Sequence, residues 1–283
     1  MSLNLAIEQQ IRCKDIIDIA IRAGEAILEV YHSDDFGIER KADNSPVTKA
    51  DQAANALICR ELARVAPHIP IVSEENKQVS YDIRKGYKYS WCVDPLDGTK
   101  EFLKRNGQFT VNIALLEDDT PIMGVVQIPV ENKVYWACRG QGAFIHENGT
   151  DRRIRAASFK LSDPGLRLVG SSSHNSPATQ EFISRFQDPS FLQLGSSIKL
   201  LKVADGSADL YPRMAPTCEW DTAAAHAVVA EAGGKVIAAG KCDGKGNSLE
   251  DWKAAVAANK PVVYNKENNL NPFFVVYGAC DLE

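Results

Sequence analysis

Residues 91–102 read Trp91-Cys92-Val93-Asp94-Pro95-Leu96-Asp97-Gly98-Thr99-Lys100-Glu101-Phe102. The apolar residues up to Val93 predict a buried strand. Pro95 fixes its own φ and biases Asp94 toward an extended conformation, so the strand is predicted to end at Asp94. The segment therefore predicts a core strand followed by a turn that carries two carboxylates.

The turn has the groups needed to hold a cation beside a phosphate. Asp94 and Asp97 would face opposite sides of a continuing strand, but a bend between them can bring both to one side, with the Leu96 carbonyl between. Gly98 has no side chain to block an anion from the backbone N–H groups, and Thr99 adds a hydroxyl. The alternative is an ordinary surface turn of the Asp-Pro-x-Asp-Gly type.

A second candidate carboxylate lies at residues 69–75, a short β-rich run that ends in Glu74 and Glu75. Such a run predicts a strand that delivers one of these acids to its C-terminal end. Either Glu74 or Glu75 is then a candidate ligand. The alternative is a pair of solvated charges at a strand end.

A third candidate is Asp221, which precedes the nearly apolar run at residues 222–232. This run predicts a buried helix that ends at the glycine pair 233–234. Asp221 would accept N–H bonds at the N-terminus of that helix, and simple N-capping is the alternative to metal binding. His226, within the helix, is interpreted as a packed core residue rather than a ligand.

The candidate ligands indicate the kind of metal. They are carboxylates and a carbonyl, and the sequence has neither a Cys-x-x-Cys nor a His-x-x-x-His spacing, so the site is a hard one. Mg²⁺ is the expected ion, with Mn²⁺ as a substitute. A cluster of this density could hold two ions about 3.5–4 Å apart.

These segments together resemble the inositol monophosphatase family of magnesium-dependent, lithium-sensitive phosphatases, most closely its 3'(2'),5'-bisphosphate nucleotidase branch. The residues at 91–99 are similar to the family's W-x-(I/V)-D-P-(I/L)-D-G-T motif, and those at 220–234 are similar to its W-D-x-A-(A/G)…E-A-G-G motif. The segments at 46–51 and 72–75 also match. The resemblance covers most of the chain and implies a layered αβαβα sandwich, an α+β or α/β fold.

The resemblance also implies roles for individual residues. Asp51 with Thr99 would position and deprotonate the attacking water, while N–H groups of Gly98 and Thr99 would hold the phosphate. For Asp51, capping of the helix predicted at 52–66 is a compatible second role. The implied metal ligands, for two or three Mg²⁺ ions with Li⁺ as an inhibitor, are Glu74, Asp94, the Leu96 carbonyl, Asp97 and Asp221. Glu74, Leu96, Asp97 and Asp221 would also contact the substrate.

Substrate choice is assigned to the second half of the chain. Ser196, Ser197, Lys199 and Arg213 resemble the branch's residues that face a bound nucleotide. A second phosphate needs a second cationic partner, which Lys199 or Arg213 could provide. The alternatives are a solvated helix lysine and two serines that cap the following helix.

Composition agrees with an ordinary globular protein of one or two domains: 283 residues, 45% hydrophobic and 24% charged. The net charge of -5 argues against a nucleic-acid polymer as partner. Seven scattered cysteines indicate a reducing compartment. The sequence has no apolar run of about 20 residues and no leader, so a cytoplasmic protein is predicted, with peripheral contact at the inner membrane as an addition. Both a monomer and a homodimer are compatible.

The order of predicted elements suggests two parts. Helices at about 5–31 and 52–66 precede strands at 91–94, 109–116, 122–129, 133–138 and 143–146, which is an α+β pattern. Strands near 168, 191 and 236 then alternate with helices near 179, 199 and 222, as in α/β layering. We therefore predict an N-terminal α+β domain at 1–157 with most ligands and a C-terminal α/β domain at 158–283 with Asp221.

Three functions are compatible with these residues. The first is hydrolysis of the 3'-phosphate of a small nucleotide, 3'-phosphoadenosine 5'-phosphate, favoured by Lys199 and Arg213. The second is a phosphatase of inositol or another sugar monophosphate with the same metal chemistry. The third is a nucleotide-binding regulator without turnover, which the complete set of acids disfavours.

Overall fold

The structure is a computed structural model that describes residues 11–41, 45–171, 177–240 and 258–281. Its α-helices are α1 (Cys13–Tyr31), α2 (Lys49–Val65), α3 (Tyr81–Arg84), α4 (Thr99–Leu103), α5 (Pro177–Ile183), α6 (Ile198–Ala204) and α7 (Ala223–Glu231). Its strands are β1 (Glu39–Arg40), β2 (Pro46–Val47), β3 (Ile71–Ser73), β4 (Tyr89–Asp97), β5 (Thr110–Glu117), β6 (Thr120–Ile128), β7 (Lys133–Cys138), β8 (Gly142–Glu147), β9 (Thr150–Ile154), β10 (Ser158–Lys160), β11 (Arg167–Ser171), β12 (Ser190–Leu194), β13 (Leu210–Arg213), β14 (Lys235–Gly240), β15 (Phe273–Tyr277) and β16 (Ala279–Asp281).

A seven-stranded sheet has the order β3-β4-β5-β6-β7-β8-β9. Only its β3–β4 pair is parallel, while β4 to β9 form an antiparallel meander. The long, largely apolar strands β5 and β6 lie in the middle, where both faces of the sheet are covered by helices. This sheet contains Asp94 and Asp97 in β4.

The prediction that this strand ends at Asp94 is wrong. Asp94 lies opposite Asn112 of β5, the register shifts, and pairing resumes with Asp97 opposite Thr110. The proline between the aspartates has no N–H to donate, so the chain bulges there instead of leaving the sheet. The backbone N–H of Leu96 donates to Asp94 Oδ1 (3.0 Å) inside the bulge. The predicted bend is present, but within β4.

Helices α1 and α2 pack together, and α1 covers one face of the sheet. The predicted part of α1 before residue 11 lies outside the described residues. Helix α2 starts three residues earlier than predicted, because Thr48 is its N-cap and Asp51 is its third residue. Thr48 and Asp51 form a capping box, in which Asp51 Oδ2 accepts from the Thr48 N–H (2.7 Å).

Helix α7 covers the other face of the seven-stranded sheet, as its apolar sequence predicts. At Gly124 in β6 the two elements are so close that an added Cβ would lie 2.0 Å from the Ala224 carbonyl oxygen. Only glycine fits this contact. The helix ends at Glu231 with Ala232 as its C-cap, and Gly233 follows with a positive φ of 92°, as a C-terminal glycine motif requires.

A five-stranded sheet has the order β12-β11-β13-β15-β14. Strands β12, β11 and β13 are parallel, while β15 is antiparallel to both of its neighbours. One face of this sheet packs against α6 and α7 through residues such as Val169 and Val276. The other face packs against Phe182 of α5 through Leu168 and Val275.

The layers are therefore α1 and α2, the seven-stranded sheet, α6 and α7, the five-stranded sheet, and α5. This order confirms the predicted αβαβα sandwich. One cluster of buried residues contains side chains from both sheets, and the division into two domains near residue 157 stays a prediction. Among the helices of the described residues, none is both long enough and apolar enough to cross a membrane.

Candidate active site

Three aspartates from distant parts of the chain meet at the end of β4. Asp94, Asp97 and Asp221 each place a carboxylate oxygen within 4.8 Å of the other two. Asp94 and Asp97 point to the same place because of the bulge between them, and Asp94 is only 1% exposed. The structure thus brings together three of the residues that the family resemblance implies as ligands, and their binding of a metal stays a prediction.

Asp221 comes from a turn that leads into α7. It is not the N-cap of that helix, which is Thr222; instead, its Oδ2 accepts from the backbone N–H of Cys218 (2.9 Å). The carboxylate therefore accepts a hydrogen bond from its own turn rather than from the N-terminus of the helix. The capping alternative is wrong for Asp221, because the helix starts one residue later than that alternative assumes.

The cluster concentrates negative charge in a buried place. Burial raises the pKa of all three carboxyls, to about 6 for Asp97 and to about 8 for Asp221, and the charge of Glu74 adds to the effect in each. For Asp97, the charge of Lys199 and the N–H of Ser197 oppose the rise. Acids held so unfavourably are stabilised by a hard divalent cation, and their oxygen atoms suit Mg²⁺. The donor set fits the predicted metal.

Glu74 follows β3, and its backbone N–H donates to the Val93 carbonyl, which brings it beside β4. Lys41 lies against it: Lys41 Nζ is 2.6 Å from Glu74 Oε1 and 2.6 Å from Glu75 Oε1. Burial lowers the pKa of Lys41, but its interactions with the two glutamates outweigh burial and raise that pKa overall. The backbone of Glu74 therefore lies beside β4, while its side chain shares an ammonium group with Glu75. Among the described residues, the group of carboxylates within 4.8 Å of one another is Asp94, Asp97 and Asp221, without Glu74.

Asp51 and Thr99 lie side by side. Thr99 Oγ1 donates to Asp51 Oδ1 (3.3 Å), and the other Asp51 oxygen accepts from the Thr48 N–H and hydroxyl. Burial raises the pKa of Asp51, and the bonds from Thr48 oppose that rise. Asp51 is therefore the third residue of α2, within the capping box, and not the residue before the helix that the sequence predicted. Its second oxygen accepts from Thr99, and a catalytic role for this pair stays a prediction.

Gly98 separates the aspartates from Thr99 and has a φ of +99°. An added Cβ would lie 3.0 Å from the Gln108 carbonyl oxygen and 3.3 Å from Ser196 Cβ, so a larger residue is excluded by both conformation and space. Leu96 is buried with its N–H bound to Asp94. Metal binding by its carbonyl stays a prediction.

The second half of the chain closes the site over a cleft. Ser197 donates its N–H to Asp97 Oδ2 (2.6 Å), and Ser197 Oγ donates to Asn112 Oδ1 (2.9 Å). Ser196 lines the cleft in a left-handed conformation with φ +46°. Ser197 occupies the N-cap position of α6, but its side chain makes no capping hydrogen bond to that helix. Its hydroxyl is hydrogen-bonded to Asn112 of β5 instead.

Lys199 and Arg213 both line this cleft, together with the apolar rings of Tyr211 and Phe274. Lys199 is only 4% exposed, and its Nζ donates to the carbonyls of Ser196 (2.6 Å) and Leu194 (3.3 Å). Burial lowers its pKa to about 8, although the charge of Asp97 opposes this. The alternative of a solvated helix lysine is therefore wrong. Arg213 uses two donors on the carbonyls of residues 215 and 216.

Two charged residues near the site were not predicted. Lys41 reaches Glu74 across 33 positions of sequence, a contact that no local pattern signals. Glu219 is 2% exposed and accepts from the backbone N–H groups of Asn265 and Lys266. Its place beside Trp220 and Asp221 was a usable signal, because an acid between apolar residues needs a buried partner.

The chain is similar to known proteins both in its sequence and in its fold. The model of the "Inositol monophosphatase family" matches residues 9–271. A "3'(2'),5'-bisphosphate nucleotidase CysQ" from Shigella flexneri is 41% identical over 263 residues, which are 92% of this chain and 97% of that protein, and its counterpart from Escherichia coli (strain K12) matches equally. The crystal structure of CysQ from Bacteroides thetaiotaomicron is 38% identical with a TM-score of 0.79, covering 98% of this chain and 100% of that one. The chain belongs to the inositol monophosphatase family.

Proposed function

We propose that this protein is a magnesium-dependent 3'(2'),5'-bisphosphate nucleotidase that hydrolyses the 3'-phosphate of 3'-phosphoadenosine 5'-phosphate. The observation that carries the proposal is the convergence of Asp94, Asp97 and Asp221 beside the Asp51–Thr99 pair. The similarity to bisphosphate nucleotidases over nearly the full chain supports the choice of substrate.

Glu74, Asp94, the Leu96 carbonyl, Asp97 and Asp221 would hold the metal. When bound, Mg²⁺ supplies charge neutralisation for the transferring phosphoryl group and acidifies water. Mutual repulsion of the buried carboxylates in the absence of a cation supports this assignment. We further propose two or three ions during turnover, Mn²⁺ as a substitute and Li⁺ as an inhibitor.

The proton of the attacking water is assigned to the Asp51–Thr99 pair. With Thr99 Oγ1 donating to Asp51 Oδ1, the lone pairs of the hydroxyl are available to accept from water. Asp51 would take up the proton through Thr99, and its raised pKa suits a base. The attack would be in line and without a covalent intermediate.

The remaining cleft residues would bind the substrate. The backbone N–H groups of Gly98 and Thr99 would hold the phosphate that leaves, where glycine allows close approach. Lys199, Arg213 and the hydroxyl groups of Ser196 and Ser197 would face the second phosphate. Because Lys199 already donates to two carbonyls, its ammonium group has one donor left for that phosphate.

The test measures phosphate release from 3'-phosphoadenosine 5'-phosphate and from inositol 1-phosphate in parallel, with Mg²⁺, with chelator and with Li⁺. We expect preference for the nucleotide, loss of activity with chelator and inhibition by Li⁺. Preference for inositol 1-phosphate would establish a sugar phosphatase instead. Binding of the nucleotide without release would favour the regulator.

A matched pair of variants on α6 tests the second-phosphate assignment. Lys199→Met should raise KM for the bisphosphate about tenfold, the effect of losing one charge-assisted hydrogen bond. Lys202→Met, on the same helix beside Asp205, should leave KM unchanged. Equal KM values for the two variants would remove Lys199 from the substrate site.

A further inference from the structure

Residues 264–271 lie in space between residues 78–84, which follow Glu74 in the chain, and the turn at 217–222, which carries Asp221. We call them the 264–271 strap. The strap packs beside the turn that carries Asp221: the Glu219 N–H donates to the Asn269 carbonyl (2.8 Å), and the Asn271 N–H donates to the Thr217 carbonyl (2.9 Å). Asn271 Nδ2 also donates to the Cys218 carbonyl (2.7 Å). The turn is thus paired to the strap along its length.

Glu219 binds the start of the strap to this turn. Its two carboxylate oxygens accept the backbone N–H groups of Asn265 (2.8 Å) and Lys266 (2.9 Å), and Lys266 Nζ binds one of them as well. The carboxylate is almost fully buried, and bonds to a buried charged acceptor are strong. Glu219 lies two residues before Asp221, so its anchorage restricts the turn.

Arg84 fastens the strap from the opposite side. It is 2% exposed, and its guanidinium donates to Asn265 Oδ1 (2.9 Å) and to the carbonyls of Lys266 (3.1 Å) and Glu267 (3.2 Å). Asn265 Nδ2 donates in return to the Arg84 carbonyl (2.8 Å). The planar fork of arginine makes these bonds together, which lysine cannot do.

Gln78 makes a second link to the N-terminal half. Its Nε2 donates to the carbonyl of Ser73, the residue before Glu74, and its Oε1 accepts from Asn269 Nδ2 (3.3 Å). A chain of contacts therefore connects Ser73, Gln78, Asn269 and Glu219. It joins the backbone beside one proposed ligand to the turn that holds another.

We propose that the 264–271 strap is the positioning element that holds Asp221 against Asp94 and Asp97, and that Arg84 and Glu219 are its positioning residues. The inference rests on the proposed function in that it takes Asp221 as a metal ligand. Neither Arg84 nor Glu219 acts on substrate; each acts through the strap. Their contribution is to the affinity for the metal more than to the chemical step.

Calorimetric titration with Mn²⁺ as the probe, alongside the Mg²⁺ dependence of turnover, tests this inference on the full chain. Arg84→Lys keeps the charge but loses the fork, and we expect about tenfold weaker Mn²⁺ binding, with kcat at saturating Mg²⁺ reduced by less than about threefold. Arg167→Lys is the matched control. Arg167 makes a bidentate pair of hydrogen bonds with Asp209. It lies at the start of β11, and Ser171, which lines the cleft, lies at the other end of that strand. This control should bind Mn²⁺ like the unchanged protein.

A double-variant cycle tests whether Arg84 and Glu219 act through one element. The combination of Arg84→Lys and Glu219→Gln should weaken Mn²⁺ binding by less than the product of the single effects, because either change already releases the strap. Gln78→Ala removes a milder, partly exposed link and serves if Arg84→Lys does not fold; we expect about threefold weaker binding.

Two results would overturn the inference while leaving the proposed function intact. One is an unchanged Mn²⁺ affinity in Arg84→Lys and Gln78→Ala, with a lower melting temperature as the only effect. The other is a fully multiplicative cycle. If instead the unchanged protein binds neither Mn²⁺ nor Mg²⁺, the metal site itself is wrong, and with it the proposed function.

Discussion

At the scale of single residues, the candidate site is a group of buried acids, and Asp94 is the most strongly buried of the three aspartates that converge there. Asp94 lies almost without exposure, and burial and neighbouring acids raise its pKa well above the usual range. Its carboxylate accepts one hydrogen bond, from the Leu96 N–H, within the part of the chain that the structure describes. A buried carboxylate in such surroundings is unfavourable in its charged form, and a bound cation would offset that cost.

Asp94→Asn should therefore lower activity without lowering the stability of the metal-free protein. The amide keeps the shape of the side chain but removes a ligand charge, and we expect turnover to fall by at least about 10³-fold. Without metal, the variant should be as stable as the unchanged protein or more so, because one buried like charge is gone. Phosphate release and thermal unfolding in chelator measure the two effects. Near-normal activity in this variant would contradict the metal-site assignment.

Thr99 provides a second, independent comparison. Thr99→Val should lower kcat by about 10²-fold, the usual contribution of a proton-transfer group, because it removes the hydroxyl between water and Asp51. Thr99→Ser retains the hydroxyl and should recover most of the rate. Calorimetry should give equal Mg²⁺ affinities for both. If the valine variant is as active as the serine variant, the hydroxyl has no part in proton transfer.

Sequence reasoning located the acids better than it explained how they meet. The Asp94–Asp97 spacing is local, and its chemistry could be read directly. That Asp221 joins them depends on pairing between the strap and the turn at 217–222, which no periodicity reports; only family resemblance indicated it. Lys41 was missed for the same reason, since an isolated lysine in a polar segment carries no signal of its partner.

At the scale of elements, the position of Asp221 depends on helix α7. It lies between the sheets, and its N-terminal turn carries Asp221. Two features hold it in place: the close approach of its backbone to β6 at Gly124, and the bond between His226 Nδ1 and the Tyr264 hydroxyl (2.9 Å). Displacement of this helix would move a proposed ligand.

Gly124→Ala should displace it. The new methyl group would overlap a backbone oxygen that cannot rotate away, and we expect a loss of about 2–3 kcal/mol in the free energy of unfolding. Gly86→Ala is the control, because its nearest contact would be an ordinary 3.5 Å. Urea denaturation in chelator measures both. A neutral Gly124→Ala would mean that α7 can shift freely against β6.

His226 should make the stability depend on pH. Burial lowers its pKa from 6.5 to about 4, so between these values the unfolded chain binds a proton that the folded chain does not. Stability from this group is complete above pH 6.5 and is lost as pH falls toward 4, by about 3 kcal/mol at one pKa unit per 1.4 kcal/mol. Comparison of the urea midpoints of the unchanged protein and His226→Gln at pH 7.5 and 4.5 isolates the effect. A pH-independent difference between them would contradict it.

The predicted elements agree with the structure in the helices α1, α2, α5, α6 and α7 and in most of the seven-stranded sheet, where periodicity and turns are regular. The short helices α3 and α4 were not predicted, because one turn of helix has no periodicity to detect. The chief misses are β13 and β15. Strand β13 contains Pro212, and a proline argues against a central strand when the segment is considered alone. The strand pairs with β11 only through Leu210, so the proline needs no partner on that side. Such tolerance is a property of the assembled sheet and is invisible in the segment alone.

At the scale of the whole molecule, the site lies where the two sheets and the central helices meet. Strand β4 brings Asp94 and Asp97, β3 leads to Glu74, and the turn before α7 brings Asp221. A metal ion bound at the proposed site would tie the N-terminal half of the chain to the C-terminal half. The affinity for the ion and the stability of the fold would then be linked.

Mg²⁺ should therefore raise the melting temperature. At 100 times its dissociation constant, an ion that binds only the folded state stabilises it by about 2.7 kcal/mol. Asp221→Asn should lose most of this gain, because the variant removes the charge of the proposed ligand that comes from the C-terminal half of the chain. Calorimetric melting with Mg²⁺ and with chelator checks both. An equal gain in the variant would exclude Asp221 from the ligands.

The central layer of α6 and α7 has a consequence for cooperativity. Their buried side chains belong to one cluster with residues of both sheets, such as Val126 and Val276. Each sheet buries one of its faces against α6 and α7. If one sheet unfolds, these helices lose part of their packing, and the other sheet loses the cover of its face. Residues 1–157 and 158–283 should accordingly not fold as separate fragments, and heat or urea should unfold the chain in a single transition.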